Sequence, residues 1–65
     1  MNTRFWRKNP RNLTWEFIEN NSEGEKVVGY LTEEFITTGM VDPDNLHRFI
    51  SNNFGVALPR EAFRK

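Results

Sequence analysis

The chain combines a length of 65 residues with the absence of cysteine, and this combination restricts its fold more than any other feature. A domain of this size buries only about 60% of the surface that its unfolded chain exposes, and no disulfide is available to stabilise it. The core must therefore come from large apolar side chains. Six Phe, two Trp and one Tyr provide them, because each aromatic ring buries a large apolar area. We expect one small folded domain.

Two segments in the first half of the chain predict a β-hairpin. Leu13, Trp15 and Phe17 alternate with polar residues, and such period-two alternation is typical of a half-buried strand. The sequence NNSEGE over residues 20–25 favours a turn, after which the chain can return as a second strand. The predicted strands span about 13–19 and 26–31.

An all-α alternative with three helices stays open for the same region. Ser22 and Glu25 have the spacing of a capping box, which would begin a helix running from about residue 23 to 38. Gly24 and Gly29 would each cost that helix up to about 1 kcal/mol relative to alanine. The hairpin is therefore the favoured interpretation.

Helix signals become clearer from Thr32 onwards. Thr32 can cap a short helix at about 33–38, which Gly39 would end. Asp42 followed by Pro43 marks the start of a second helix at about 43–54. Pro59 can open a last short helix near the C-terminus.

These elements predict the fold class α+β, a single small domain in which a β-hairpin packs against two to three short helices. A hairpin alone is marginal in water, so the apolar stripe of the second helix must cover it. Asn9-Pro10 interrupts regular structure, which divides the chain into a basic aromatic arm at 1–12 and a globular domain at 13–65. The predicted core consists of Trp15, Phe17, Val28, Leu31, Phe35, Leu46, Phe49, Ile50 and Phe54, with Val56 and Leu58 at its edge.

No arrangement of residues in the sequence indicates catalysis, a cofactor or a metal. His47 is the only histidine, and it falls on the predicted exposed face of its helix with no nucleophile placed to pair with it. Zinc sites need several His or Cys ligands. Asp42 and Asp44 begin like a calcium loop, but His47 occupies the position that requires glycine. We therefore predict a protein that is not an enzyme.

Charge is unevenly distributed although the net charge is zero. Residues 1–12 carry four cations and no acid, residues 13–46 carry eight acids and one lysine, and residues 47–65 carry four cations and one acid. One interpretation is that the basic ends fold back onto the acidic surface. The other is that the basic arm binds a partner.

The arm contains the predicted partner-binding residues, which are Arg4, Phe5, Trp6, Arg7, Lys8 and Arg11. Trp and Arg are enriched among the anchors of protein interfaces, but cations and aromatic rings also suit the phosphates and bases of nucleic acid. A third interpretation is that Phe5 and Trp6 close one end of the core. Because the acidic middle would repel a polyanion, we predict a small accessory protein that binds a protein partner. A nucleic-acid-binding module that uses the arm is the alternative.

Hydropathy gives an expectation about location. No apolar run approaches the roughly 20 residues that a membrane helix needs, so we expect a soluble, cytoplasmic protein with no membrane partner. An exposed strand edge also leaves a homodimer open.

Overall fold

The computed structural model describes residues 2–63, which form three strands followed by two helices. The strands form an antiparallel sheet with the second strand in the centre, and a short 3₁₀ helix at Arg60–Phe63 ends the described chain. The α+β prediction is confirmed, and the all-α alternative is wrong. The elements are β1 (Thr3–Asn9), β2 (Thr14–Asn21), β3 (Gly24–Thr32), α1 (Glu33–Gly39) and α2 (Pro43–Phe54).

The helix ends follow from local chemistry. The Phe35 amide donates to the Thr32 hydroxyl, 3.0 Å away, at the start of α1. The Asn45 amide donates to the Asp42 carboxylate over 3.3 Å at the start of α2. Gly55 ends α2 with φ = 76°, in the left-handed region where a residue without a Cβ is favoured. These caps explain why both predicted helices have nearly the observed bounds.

The first strand differs from the predicted arm at 1–12. Thr3–Asn9 pairs with β2 over its whole length, so these residues belong to the sheet. Trp6 is only 8% exposed, and its ring centroid lies 4.8 Å from that of Phe17. The apolar alternation is hidden in the sequence because Phe5 and Trp6 are adjacent, and adjacent residues of a strand face opposite sides of the sheet.

The core lies between one face of the sheet and the two helices. An aromatic triplet occupies part of it, because the Phe54 ring centroid lies 4.8 Å from that of Trp6 and 5.2 Å from that of Phe17. Phe54 and Val56 are partly buried at its border. The buried members of this cluster are Trp6, Trp15, Phe17, Leu31, Ile36, Leu46, Ile50 and Leu58.

A β-bulge places Val28 outside the core, although the sequence predicted it to be a core residue. Phe17 pairs with Gly29 and Ile18 pairs with Val27, so Val28 is the extra residue of β3. A bulge of this kind disrupts the alternation of side chains across the sheet. Val28 is 46% exposed as a result.

The buried faces of the two helices differ in part from the prediction. Phe35 and Phe49, predicted as core, are 43% and 40% exposed. In α1 the neighbour Ile36 is buried instead, at 2%, because adjacent residues of a helix point about 100° apart. In α2 the predicted core residues Leu46 and Ile50 are buried, at 3% and 1%, so the buried stripe is narrower than predicted and leaves Phe49 at the surface.

Gly29 allows Phe54 to reach the sheet, which gives a first prediction. A Cβ at position 29 would lie 2.9 Å from Cε1 of Phe54, and we expect Gly29→Ala to lower the free energy of unfolding by about 1–3 kcal/mol through overpacking. Urea unfolding followed by circular dichroism measures this loss. Val28→Ala, at the exposed neighbour, is the control and should cost less than about 1 kcal/mol. Equal losses in the two variants would contradict the close packing of Phe54 against Gly29.

Candidate protein-binding surfaces

The cations of β1, which the sequence proposed as binding residues, lie beside carboxylates. Each ion pair has one partner in the basic N-terminal segment and one in the acidic middle of the chain, in agreement with the interpretation that the basic segment folds back. The N–O distances are 3.1 Å for Arg4–Glu19, 2.9 Å for Arg7–Glu25 and 2.9 Å for Lys8–Glu33. Residues 64 and 65 of the basic C-terminal segment lie outside the described residues.

These ion pairs change what β1 can offer to a partner. Pairs at the surface contribute only about 0–1 kcal/mol each to stability, so their main effect is on the local potential. A phosphate approaching Arg4, Arg7 or Lys8 meets a carboxylate at each of them. Arg11 lies in the turn after β1, is exposed, and donates its backbone N–H to the Asn9 side chain over 3.0 Å.

The two aromatic residues of β1 have different environments. The Trp6 indole Nε1 donates to the Val56 carbonyl oxygen, 2.8 Å away, and its ring is buried in the core. Trp6 could anchor a partner only by leaving the core. Phe5 is half-buried on the opposite, outer face of the sheet, where it pairs with Ile18. The interpretation that Trp6 closes one end of the core therefore agrees with the structure.

An ion pair covers the centre of the outer face of the sheet. Ile18 is fully buried although it lies outside the main core. In the register of the sheet, Arg7 lies opposite Glu16 and Glu25 lies opposite Asn20. The Arg7–Glu25 ion pair therefore crosses the central strand over Ile18, which lies midway between these positions. The ion pair closes the middle of this face.

A groove between α1 and α2 exposes aromatic surface. The ring centroids of Phe35 and Phe49 lie 5.4 Å apart with an interplanar angle of 50°. The groove has a volume of about 220 Å³, enough for one or two side chains, and buried Leu46 lies at its base. We call it the helical groove, and its lining residues are Phe35, Thr38, Gly39, Asn45, Leu46 and Phe49.

The turn after α1 adds further exposed apolar side chains near the groove. Met40 is 36% exposed and Val41 is 88% exposed. Contiguous exposed apolar surface in a small protein indicates an interaction site more strongly than scattered single residues do. Sequence periodicity missed this surface because it assigned Phe35 and Phe49 to the core.

The free edge of β3 is a weaker candidate surface. The bulge at Val28 interrupts the strand, and Lys26 and Gly29 lie on either side of it. Bulges and edge lysines are features by which natural sheets resist pairing with another strand. A homodimer through this edge stays a prediction.

Over residues 2–63, no group of three or more His, Cys, Asp or Glu side chains is placed to hold a metal ion. His47 is exposed, and its ring centroid lies 5.0 Å from that of Phe63. Within the same range, neither helix has the length and apolar character to cross a membrane.

Comparison with other proteins gives no family to which this chain can be assigned. No protein-family model, curated protein or solved structure matches it. What the protein binds must therefore be inferred from its own exposed surfaces.

Proposed function

We propose that this protein is a small, non-enzymatic binding protein that acts through protein–protein contacts, with the helical groove as its contact surface. The observation that carries this proposal is the Phe35–Phe49 pair, two rings in mutual contact that each leave about two fifths of their surface in water. Aromatic side chains are enriched at the centres of protein interfaces. A partner that covers both rings removes this apolar area from water at no cost to the core.

The proposed contact surface replaces the N-terminal residues that the sequence favoured. Trp6 is held in the core by packing and by its hydrogen bond to Val56, and the cations at 4, 7 and 8 are ion-paired. To bind nucleic acid, these cations would have to leave their carboxylates and pair with phosphates. The carboxylates would stay close by and repel the nucleic acid. The geometry therefore supports a protein partner over a nucleic acid. A cytoplasmic location belongs to the same proposal, since a cysteine-free chain suits a reducing compartment.

A capture experiment with matched surface variants tests the proposal. The protein is immobilised and incubated with an extract of its source cell, with and without nuclease, and bound proteins are identified by mass spectrometry. The groove variant is Phe35→Ser/Phe49→Ser, and the control is Val27→Ser/Tyr30→Ser, which changes two exposed residues of β3. Circular dichroism verifies that both variants are folded. We expect the wild type and the control to capture the same proteins regardless of nuclease, and the groove variant to lose them.

Two results would contradict the proposal. Loss of the captured proteins after nuclease treatment would indicate that nucleic acid mediates the contact. Equal capture by the groove variant would show that the binding surface lies elsewhere.

A further inference from the structure

The borders of the helical groove are acidic. The segment from the start of α1 to the first turn of α2, residues 33–46, contains four carboxylates and no lysine or arginine. Glu33 is paired with Lys8. The other three, Glu34, Asp42 and Asp44, are exposed. A charged ligand that approaches the groove therefore meets a negative potential.

Each of these carboxylates lies close in sequence to a residue that lines the groove. Glu34 precedes Phe35 in α1 and lies one turn before Thr38, a lining residue. Asp42 and Asp44 begin α2, where Asp44 directly precedes the lining residue Asn45. The nearest cation of α2, Arg48, lies one turn after Asp44. One cation against three exposed carboxylates leaves the net charge of this region negative.

The two helices that form the groove favour a helical ligand over an extended one. The backbone N–H and C=O groups inside a helix are already hydrogen-bonded to each other. An extended peptide therefore cannot form backbone hydrogen bonds with these two helices as it would with the edge of a sheet. Binding must come from side chains, and an amphipathic helix concentrates these on one face. The lining residues cover about one turn of each helix, within residues 35–39 of α1 and 45–49 of α2, so the groove accommodates the apolar side chains of one to two turns of a bound helix.

We propose that the helical groove binds a basic amphipathic helix of a partner protein. This inference rests on the proposed function and specifies the chemical class of the partner. Apolar side chains spaced three or four residues apart contact Phe35 and Phe49. Lysine or arginine side chains beside them lie near Glu34 and Asp44. A second copy of this chain is a poor occupant, because a symmetric groove-to-groove contact would bring two acidic borders together.

Matched synthetic peptides test the partner class directly. The probe is a fluorescein-labelled 14-residue helical peptide with leucine on one face and lysine and arginine on the other. Its control has the same leucines with glutamate in place of every lysine and arginine. We expect fluorescence anisotropy to show binding of the basic peptide, with a Kd about tenfold lower than that of the acidic peptide and a clear weakening in high salt.

Variants of the protein assign the binding to the groove. We expect Glu34→Lys/Asp44→Lys to raise the Kd of the basic peptide about tenfold, and Phe35→Ser/Phe49→Ser to abolish binding. Both carboxylates are exposed but lie in the first turns of their helices, where lysine is less favourable than an acid by about 0.3–1 kcal/mol each, so circular dichroism verifies that the lysine variant is folded. In ¹⁵N–¹H spectra of the wild type, the basic peptide should shift the amides of Thr38, Gly39 and Asn45.

Other results would overturn the inference. These are equal binding of the acidic peptide, amide shifts confined to β3, or sedimentation showing a dimer that the groove variant disrupts. If the basic peptide does not bind but the cell-extract capture still depends on Phe35 and Phe49, the partner class is wrong and the protein-binding function stands. If the capture is also independent of these residues, both proposals fail.

Discussion

A Trp6→Ala variant should be largely unfolded at 25 °C. Truncating a buried Trp to alanine costs about 3–5 kcal/mol, and a cysteine-free domain of this size has only about 3–5 kcal/mol of stability in total. The substitution also removes the indole donor 2.8 Å from the Val56 carbonyl oxygen, which then loses its partner. Circular dichroism and the intrinsic fluorescence of Trp15 during urea unfolding measure the effect.

Deletion of residues 1–11 should have the same outcome. If these residues formed an independent arm, the truncated protein would fold and lose only affinity for its partner. Because β1 pairs with β2 along its length, the deletion instead removes a strand and part of the core. Arg11→Ala, in the exposed turn, is the control and should change stability by no more than about 0.5 kcal/mol. A truncated protein that melts cooperatively would refute the assignment of β1 to the core sheet.

Ile50→Ala should be far more damaging than Phe49→Ala, although Phe is the larger residue. Ile50 is 1% exposed between α2 and the sheet, and its truncation should cost about 2–5 kcal/mol through loss of burial and cavity formation. Phe49 is 40% exposed, so we expect its truncation to cost about 1 kcal/mol. The sequence predicted both residues to lie in the core and did not distinguish them.

Thermal unfolding of the two variants tests the orientation of α2. The positions are adjacent on one helix, so helix propensity and distance from the helix ends differ little between them. A larger drop in melting temperature for Phe49→Ala would mean that Phe49 faces the sheet. In that case the helical groove would not exist as described.

The elements that could be predicted from sequence are those fixed by local chemistry. The hairpin followed from alternation around Trp15 and Phe17 and from the polar turn after them. The helix ends followed from Thr32, Gly39 and Asp42, whose effect depends only on residues within one turn. Such features need no knowledge of the rest of the molecule.

The features that could not be predicted depend on contacts between distant segments. β1 was missed because Phe5 and Trp6 are adjacent and no alternation is visible around them. The exposure of Phe49 was missed because Phe49 and Ile50 both lie within a broad apolar stripe, and only the position of the sheet decides which of them is buried. The helical groove depends on the exposure of Phe35 and Phe49, so no sequence pattern could locate it.

Charge segregation lies between these two cases. The excess of cations at the start of the chain and of acids in its middle predicted that the two segments attract each other. The partners of each cation depend on strand register, because Arg4 lies opposite Glu19 in the sheet whereas Arg7 reaches across β2 to Glu25. The sequence therefore indicated the attraction but not the pairs.

The order of elements along the chain has a consequence for its synthesis. All three strands precede both helices, and the hydrogen bond from Trp6 to Val56 joins positions 50 residues apart. A chain emerging from the ribosome in sequence order therefore presents the apolar side of its sheet before the helical residues that cover it have emerged. The nascent chain is the form in which this apolar side is most open to chaperones and to aggregation.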